Sequence, residues 1–339
     1  MERQKISQFL KNKFPIIDVR SPEEFSTGHI PNAENIALFD NEERTIVGTT
    51  YKKNGKQKAI EEGLGIVGPN LQEFVKNAKK VARDNNLRVY CWRGGMRSEK
   101  MAWLFELVGI KCIVLEGGYK AYRNHTLELL GSLPSLILLQ GPTGIGKTAI
   151  LHALKENGEQ VIDLEGLANH RGSAFGSLGM PEQPSTLQFQ NAIYEEVSKM
   201  DTKKRIWIES ESLSIGKVYL PEPLWGQMNK SSIIQLSMPL AHRVKRVVSE
   251  YGSFDSEKLK EKISRLKRMG GNNVKLALQH LGENNLEAVA ELLLQYYDKS
   301  YQFGANKYKK NKPIKLQLED DNPTESTFTL IKLANKEGL

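Results

Sequence analysis

Apolar residues in this chain fall into short continuous runs separated by stretches in which they recur with helical spacing. That is the signature of strands buried on both faces alternating with amphipathic helices. In the first third, residues 15–19, 35–38, 87–90 and 110–115 read as extended segments and 22–27 as a helical turn. Residues 71–85 place Phe74, Val75, Ala78 and Ala82 on one helical face, and 99–108 do the same with Met101, Ala102, Leu104, Phe105 and Val108. The alternation predicts a parallel α/β sheet. Residues 40–70 are Gly-rich, lack a period, and read as an irregular insertion too long for a simple connection.

The turn-rich GSLPS at 131–135 closes a first domain expected over 1–130. A second α/β domain follows, its core expected over 131–239. It has a buried strand at 136–139, a helix at 149–156, a strand at 160–162 and the run IWIE ending at Glu209. From 240 to 339 the pattern is mostly helical. Leu259, Ile263 and Leu266 form one stripe, and Leu286, Val289, Ala290, Leu293 and Tyr297 another. STFTLIKL at 326–333 alternates like a final strand packed on the second domain. The expected fold class is therefore α/β, with a parallel-sheet domain, a second α/β domain and a mostly helical C-terminal part.

With 339 residues, the chain is long enough to build two cores. Its two cysteines, Cys91 and Cys112, exclude a disulfide framework and a cysteine-rich zinc site, and Cys112 lies in an apolar run that reads as strand core. No apolar run approaches the ~18 residues of a membrane helix, and the first residues show no secretory pattern, so the chain reads as cytosolic with no membrane partner. The formal net charge is +8, and residues 240–312 carry 15 Lys and Arg against 8 Asp and Glu, nearly the whole excess. Lys258, Lys260, Lys262, Arg265, Lys267 and Arg268 are expected on one helix, and Lys307, Lys309, Lys310 and Lys312 form a later basic run near Tyr301, Phe303 and Tyr308. Such a concentration suits a polyanion such as RNA, although a solvated helical face accounts for the charges equally well when taken alone.

Two stretches carry candidate chemistry. CWRGGMRS at 91–98 joins a predicted strand to a predicted helix. There the amides of Arg93, Gly94, Gly95, Met96 and Arg97, the helix dipole and the two arginines favour an anion and a nucleophilic thiolate at Cys91. GPTGIGKT at 141–148 fits the phosphate-binding P-loop pattern in its strand–loop–helix context. Gly141, Thr143, Gly144, Ile145, Gly146 and Lys147 would cradle and neutralise phosphate oxygens, and the Thr148 hydroxyl can reach Mg²⁺. Asp163 and Glu209, each at a strand end, are candidate partners for that ion, with helix capping the alternative for both. The glycine-rich stretch 165–185 lies between them, and its His170 and Arg171 are candidate substrate contacts. Lys262, Arg265, Lys267 and Arg268 are the candidate RNA contacts.

DVRSPEEFSTGHIPNAENI at 18–36, the cysteine loop and LEGGYKAY at 115–122 resemble the rhodanese domain of sulfurtransferases over residues 1–125. In that family the cysteine carries sulfur and the DVR motif, Asp18 and Arg20 here, is structural. Five residues separate Cys91 from Arg97, one more than in common sulfurtransferase loops, which the resemblance to rhodanese-like phosphatases links to a larger anion. The ordered series DVRSPEEF, NEERTIVGTTYK, CWRGGMRS, LEGGYKAYR, GPTGIGKT and DLEGLANHRGSAFG resembles the tRNA 2-selenouridine synthase family, a rhodanese-like domain followed by a P-loop NTPase-like one. The resemblance implies a transferase acting on the wobble uridine of tRNA. It would geranylate a 2-thiouridine with geranyl diphosphate and then replace the S-geranyl group with selenium from selenophosphate, with no covalently bound cofactor. Two other classes stay open on the residues alone: an ATP-dependent kinase or nucleotide switch with a phosphatase-like domain, and a non-catalytic tRNA-binding sulfur carrier.

Overall fold

A computed structural model describes residues 1–305 and 312–339. Lys307, Tyr308, Lys309, Lys310 and the side chains of Tyr301 and Phe303 lie outside the described residues. The chain forms two compact units, Met1–Leu129 with Ser185–Glu195, and Leu130–Pro184 with Glu196–Leu339. Among the described residues, no helix is long and apolar enough to cross a membrane.

In the first unit, β1 (Glu2–Gln4), β2 (Ile16–Asp18), β3 (Ala33–Asn35), β4 (Asn86–Tyr90) and β5 (Lys111–Leu115) form a sheet in the order β1-β5-β4-β2-β3, every pairing parallel. One face buries Ile17, Leu87, Val89 and Val114 against Phe74 and Ala78 of the helix Leu71–Val81 and Met101, Ala102 and Phe105 of the helix Met96–Leu107. β4 is central, so the loop after it opens at the carboxyl edge of the sheet, where parallel α/β folds place ligands. The first of these helices stops short of the expected residue 85 because Ala82 turns extended and Asp84 and Asn85 take positive φ to enter β4.

Residues 40–70 correct the expected irregular insertion. Asn41–Val67 is helical, started by a capping box between Asp40 and Glu43 and broken once at Gly55, whose φ of 87° only glycine adopts without strain. Its only buried residues are Ala59 and Gly63, so no apolar stripe marks it in the sequence. Ser185–Glu195, expected with the second domain, packs within the first unit. The Gln188 side chain accepts from the His29 N–H at 3.0 Å, and Asn191 donates to the His29 carbonyl and the Tyr119 hydroxyl, both at 2.8 Å.

Asp18 and Arg20 are both buried, and Asp18 accepts from the Arg20 backbone N–H and from its guanidinium, while Arg20 also donates to the Gly28 carbonyl and lies 4.1 Å from the Tyr119 ring centroid. Burial alone would depress the Arg20 pKa, but Asp18 outweighs it and the pKa rises. Asp18→Ala is expected to destabilise the protein by about 3–5 kcal/mol, because it leaves a buried guanidinium unpaired. Chemical denaturation checks this, and a loss below about 1 kcal/mol would place the pair among ordinary contacts.

In the second unit β6 (Leu136–Gln140), β7 (Gln160–Ile162) and β8 (Ile206–Glu209) are followed by a small antiparallel hairpin, β9 (Ser214–Ile215) with β10 (Val218–Tyr219), then β11 (Ser232–Ser237) and β12 (Ile314–Gln317). The main sheet runs β12-β11-β6-β8-β7, all parallel, with β6 at its centre. The last strand is β12, not 326–333. The latter lies in the helix Pro323–Lys336, started by Asn322, which accepts from the Glu325 N–H, and by Pro323 in the first turn. Ser326, Thr327, Leu330 and Ala334 are buried at helical spacing, and Leu330 and Ala334 join the core around Ile150 and Leu154. Local β-branched alternation lost to that tertiary stripe.

The expected single basic helix is also corrected. Helix Ser256–Ser264 ends before Leu266, whose ψ of 57° leaves the helical region, and Lys267 and Arg268 occupy a separate 3₁₀ turn, Lys267–Met269. Leu259, Ile263, Leu266 and Met269 remain buried in one cluster.

Candidate functional site

Cys91 follows β4 directly and is buried, with its thiol at the foot of a loop that ends in the helix Met96–Leu107. The Ser98 hydroxyl donates to Cys91 Sγ at 3.2 Å. The N–H groups of Arg93, Gly94, Gly95, Met96 and Arg97 have no acceptor among the described residues, so this end of the helix is a nest of free donors. Two glycines make the close packing behind it: a Cβ on Gly94 would lie 2.2 Å from the Leu115 carbonyl, and one on Gly118 2.2 Å from the Cys91 carbonyl. The cradle is thus braced by the LEGG segment, through Tyr119 N–H to Cys91 carbonyl and Lys120 N–H to Trp92 carbonyl bonds of 2.8 and 3.0 Å.

The two arginines of the loop divide. Arg93 is exposed and has no partner among the described residues. Arg97 instead donates to both carboxylate oxygens of Glu24, at 2.7 and 3.3 Å, and Glu24 also closes the capping box of the helix Pro22–Thr27. Burial works against the Glu24 carboxylate, but Arg97 outweighs it and holds its pKa below the usual range. Met96 is exposed at the rim, as is Trp92. Cys112 lies in β5, where burial pushes its thiol up to about 12, which suits strand core.

The P-loop follows the central β6. Gly144 and Gly146 take φ of 77° and 82°, Ile145 is buried as the loop's anchor, and helix Lys147–Glu156 begins at once. The N–H groups of Thr143, Gly144, Gly146, Lys147 and Thr148 have no acceptor among the described residues, and Lys147 Nζ rests on the Gly141 carbonyl at 3.3 Å. The loop is therefore a second anion nest, with its own cation. It is braced from outside by helix Leu240–Tyr251: the buried Arg243 donates to the Thr143 carbonyl at 2.8 and 3.0 Å while paired with Asp298, and Arg246 lies beside Gly146 and is paired with Asp321 and Glu250. These two arginines belong to the phosphate loop and not to the RNA-facing charge that the composition of 240–312 suggested.

The Thr148 hydroxyl donates to Glu165 at 3.1 Å, and not to either carboxylate singled out from the sequence. Asp163 caps the short helix Leu164–Leu167 and meets His152 Nε2 at 2.8 Å. Glu209 is buried, with one oxygen accepting from the Glu165 N–H at 2.6 Å and the other without a partner among the described residues. Burial first, then Asp163 and Glu165, drives the Glu209 pKa well up. Glu165 is raised by burial against the pull of Lys147, and burial and Glu165 together push Glu211 up to about 7. Glu165 and Glu211 each stand two residues beyond the carboxylate that was expected to serve, in DLE and ESE, and that repeated spacing after β7 and β8 is the signal for them. Among the described residues no three His, Cys, Asp or Glu side chains form a metal-binding group.

His170 and Arg171 are half-buried in the glycine-rich loop. Burial and then Lys262 depress the His170 pKa, and the Arg171 guanidinium lies 5.5 Å from the Tyr251 ring centroid; among the described residues neither His170 Nδ1 nor the buried Arg171 Nη1 has a partner. Of the basic candidates, Lys262 reaches into this loop and donates to Ser177 at 2.8 Å, Arg265 pairs with Glu261, and Lys267 and Arg268 are exposed.

Residues 134–322 match the family described as the tRNA 2-selenouridine synthase AAA domain, and residues 3–125 match the rhodanese-like domain. A tRNA 2-selenouridine synthase of Sulfurovum sp. is 35% identical over 329 residues, covering 86% of this chain and 89% of that protein. One from Nitrosomonas europaea is 37% identical over 246 residues, which span 70% of this chain and 63%, under two thirds, of that protein. The crystal structure of the N-terminal domain of a Clostridium difficile 630 protein described as ATP/GTP binding is 42% identical, covering 37% of this chain and 99% of that one with a TM-score of 0.36.

Proposed function

This chain belongs to the tRNA 2-selenouridine synthase family, and from that premise we propose that it replaces the 2-thio sulfur of a tRNA wobble uridine with selenium in two steps. The observation that carries this reading is the pairing, in one chain, of two nests of free backbone donors, one ending at a buried cysteine and one at Lys147.

In the first step the thiouridine sulfur attacks the allylic carbon of geranyl diphosphate, the carbon–oxygen bond breaks and diphosphate leaves. Charge builds on the leaving oxygens, where the P-loop amides and Lys147 are already aimed, so the stabilisation needs no rearrangement during the reaction. Thr148 and Glu165 offer hard oxygen donors beside Lys147, and Glu209 accepts from the Glu165 N–H next to them. This set fits Mg²⁺, which Thr148 and Glu165 would hold and which would add positive charge at the diphosphate.

In the second step selenium bonds to the ring carbon as the carbon–sulfur bond breaks and geranylthiolate leaves. Alkylation is what makes that sulfur able to depart. The loop amides from Arg93 to Arg97 and the exposed Arg93 hold selenophosphate against Cys91. The Cys91 sulfur takes the phosphoryl group as the phosphorus–selenium bond breaks, the selenide so freed attacks the ring carbon, and water then releases phosphate from the sulfur. Arg97, locked onto Glu24, shapes this loop by fixing the first turn of its helix.

Incubation with thiolated tRNA and geranyl diphosphate, followed by nucleoside mass spectrometry, tests the reading. S-geranyl-2-thiouridine is expected without selenophosphate and 2-selenouridine with it. Unchanged thiouridine in both arms, with ATP turnover instead, would replace this reading with a nucleotide-driven one. Lys267 and Arg268, exposed on the turn after helix Ser256–Ser264, are assigned to tRNA phosphates. Charge reversal of both is expected to weaken tRNA binding and lower the salt slope by about one for each phosphate no longer neutralised, and an unchanged slope would remove the turn from the interface.

A further inference from the structure

The helix Asn41–Val67 buries only Ala59 and Gly63, so core packing does not explain why the chain builds it. It consists of two limbs that double back at Gly55. A Cβ on Gly63 would lie 3.2 Å from Phe39 Cζ and 3.9 Å from Val47 Cγ2, which brings together positions eight residues before and eight after that glycine. A Cβ on Gly55 itself would meet nothing within 4 Å. The bend therefore stands free, about 12 Å beyond the Val47 contact. The root is fastened beside the cysteine loop. Asn41 Oδ1 accepts from the Glu23 N–H at 2.9 Å, and Arg44 Nε lies 3.6 Å from Glu24, the same carboxylate that holds Arg97.

The free end is YKKNGKQK, residues 51–58, in which all eight residues are exposed, four are lysine and none is acidic. Lys58 pairs with Glu61, whereas Lys52, Lys53 and Lys56 have no carboxylate partner among the described residues. Lys52 and Lys53 end the first limb, where a cation stabilises the helix dipole, but Lys56 and Lys58 open the second, where a cation opposes it. Helix stability thus accounts for only half of the charge, and a polyanion accounts for all of it. Tyr51 is the one large apolar side chain at this end, exposed and able to stack on a base, whereas a membrane-seeking arm would carry a whole apolar face. We infer that the arm contacts phosphates of the tRNA anticodon stem while the wobble uridine lies at the Cys91 loop. The inference rests on the tRNA reading above and adds to it the surface by which the first unit holds the RNA. From Asn41 to Gly55 the limb spans about 20 Å, which suits one anticodon arm with its loop at the cysteine and its stem at the lysines.

The test is titration of the full chain, over a range of salt concentrations, with a thiolated tRNA and with the anticodon stem-loop excised from it. Replacing Lys52, Lys53 and Lys56 together by Ala should lower the salt slope for both RNAs by about 2 to 3 and weaken binding at least about tenfold at about 0.1 M salt. The melting curve should match the wild type, since all three side chains are exposed. A slope unchanged for both RNAs gives the arm to another partner, such as an acidic protein surface, and overturns the inference while the tRNA reading stands. A slope that falls with whole tRNA but not with the stem-loop overturns the placement on the anticodon stem. Wild-type protein that binds neither RNA overturns the tRNA reading itself.

Discussion

Lys147→Ala is expected to lower the single-turnover rate of S-geranyl-2-thiouridine formation by roughly 100- to 1,000-fold, the usual cost of removing one preorganised donor from a developing anion. The loss should fall mainly on the rate at saturating geranyl diphosphate, because the charge that Lys147 meets grows as the carbon–oxygen bond breaks. Lys147 Nζ is already held at the mouth of the nest by the Gly141 carbonyl, and the neighbouring amides are free. Quenched-flow sampling with nucleoside mass spectrometry reads the rate. A change of less than about threefold would mean that the P-loop serves something other than the leaving diphosphate.

Cys91→Ser is expected to cut selenium incorporation by roughly 1,000-fold or more, since a serine hydroxyl is a far weaker nucleophile than cysteine sulfur. Geranylation should continue, so S-geranyl-2-thiouridine should accumulate in the presence of selenophosphate. The substitution keeps the buried volume nearly unchanged and leaves Ser98 a hydrogen-bond acceptor at the same point. The accumulated nucleoside, not lost activity alone, is the diagnostic. Selenouridine formed at the parental rate would remove Cys91 from the chemistry.

Both nests are legible in the sequence because each lies between a short, largely buried strand and a helix with a clear buried face, so their glycines have only one structural context to fit. The parallel order of both sheets follows from the same alternation. What is not legible depends on long-range packing. The helix Asn41–Val67 buries almost nothing and so has no stripe, while Ser326 to Leu333 alternate locally yet face the helix Lys147–Glu156 with a helical period. Arg243 and Arg246 read as surface charge in the sequence, whereas the fold gives them Thr143, Asp298 and Asp321 as partners. Glu165 and Glu211 yield to Asp163 and Glu209 in a reading of the residues alone, since strand ends are visible in a sequence and the turn that carries the next carboxylate inward is not.

The most direct test of successive action by the two loops supplies the intermediate ready-made. Lys147→Ala protein is given tRNA already bearing S-geranyl-2-thiouridine, together with selenophosphate, and selenium incorporation is followed by nucleoside mass spectrometry. Selenouridine should form at close to the wild-type rate, because the step that needs Lys147 has been bypassed. No selenouridine from that substrate, with the wild type converting it normally, would contradict the division of labour between the cysteine loop and the P-loop.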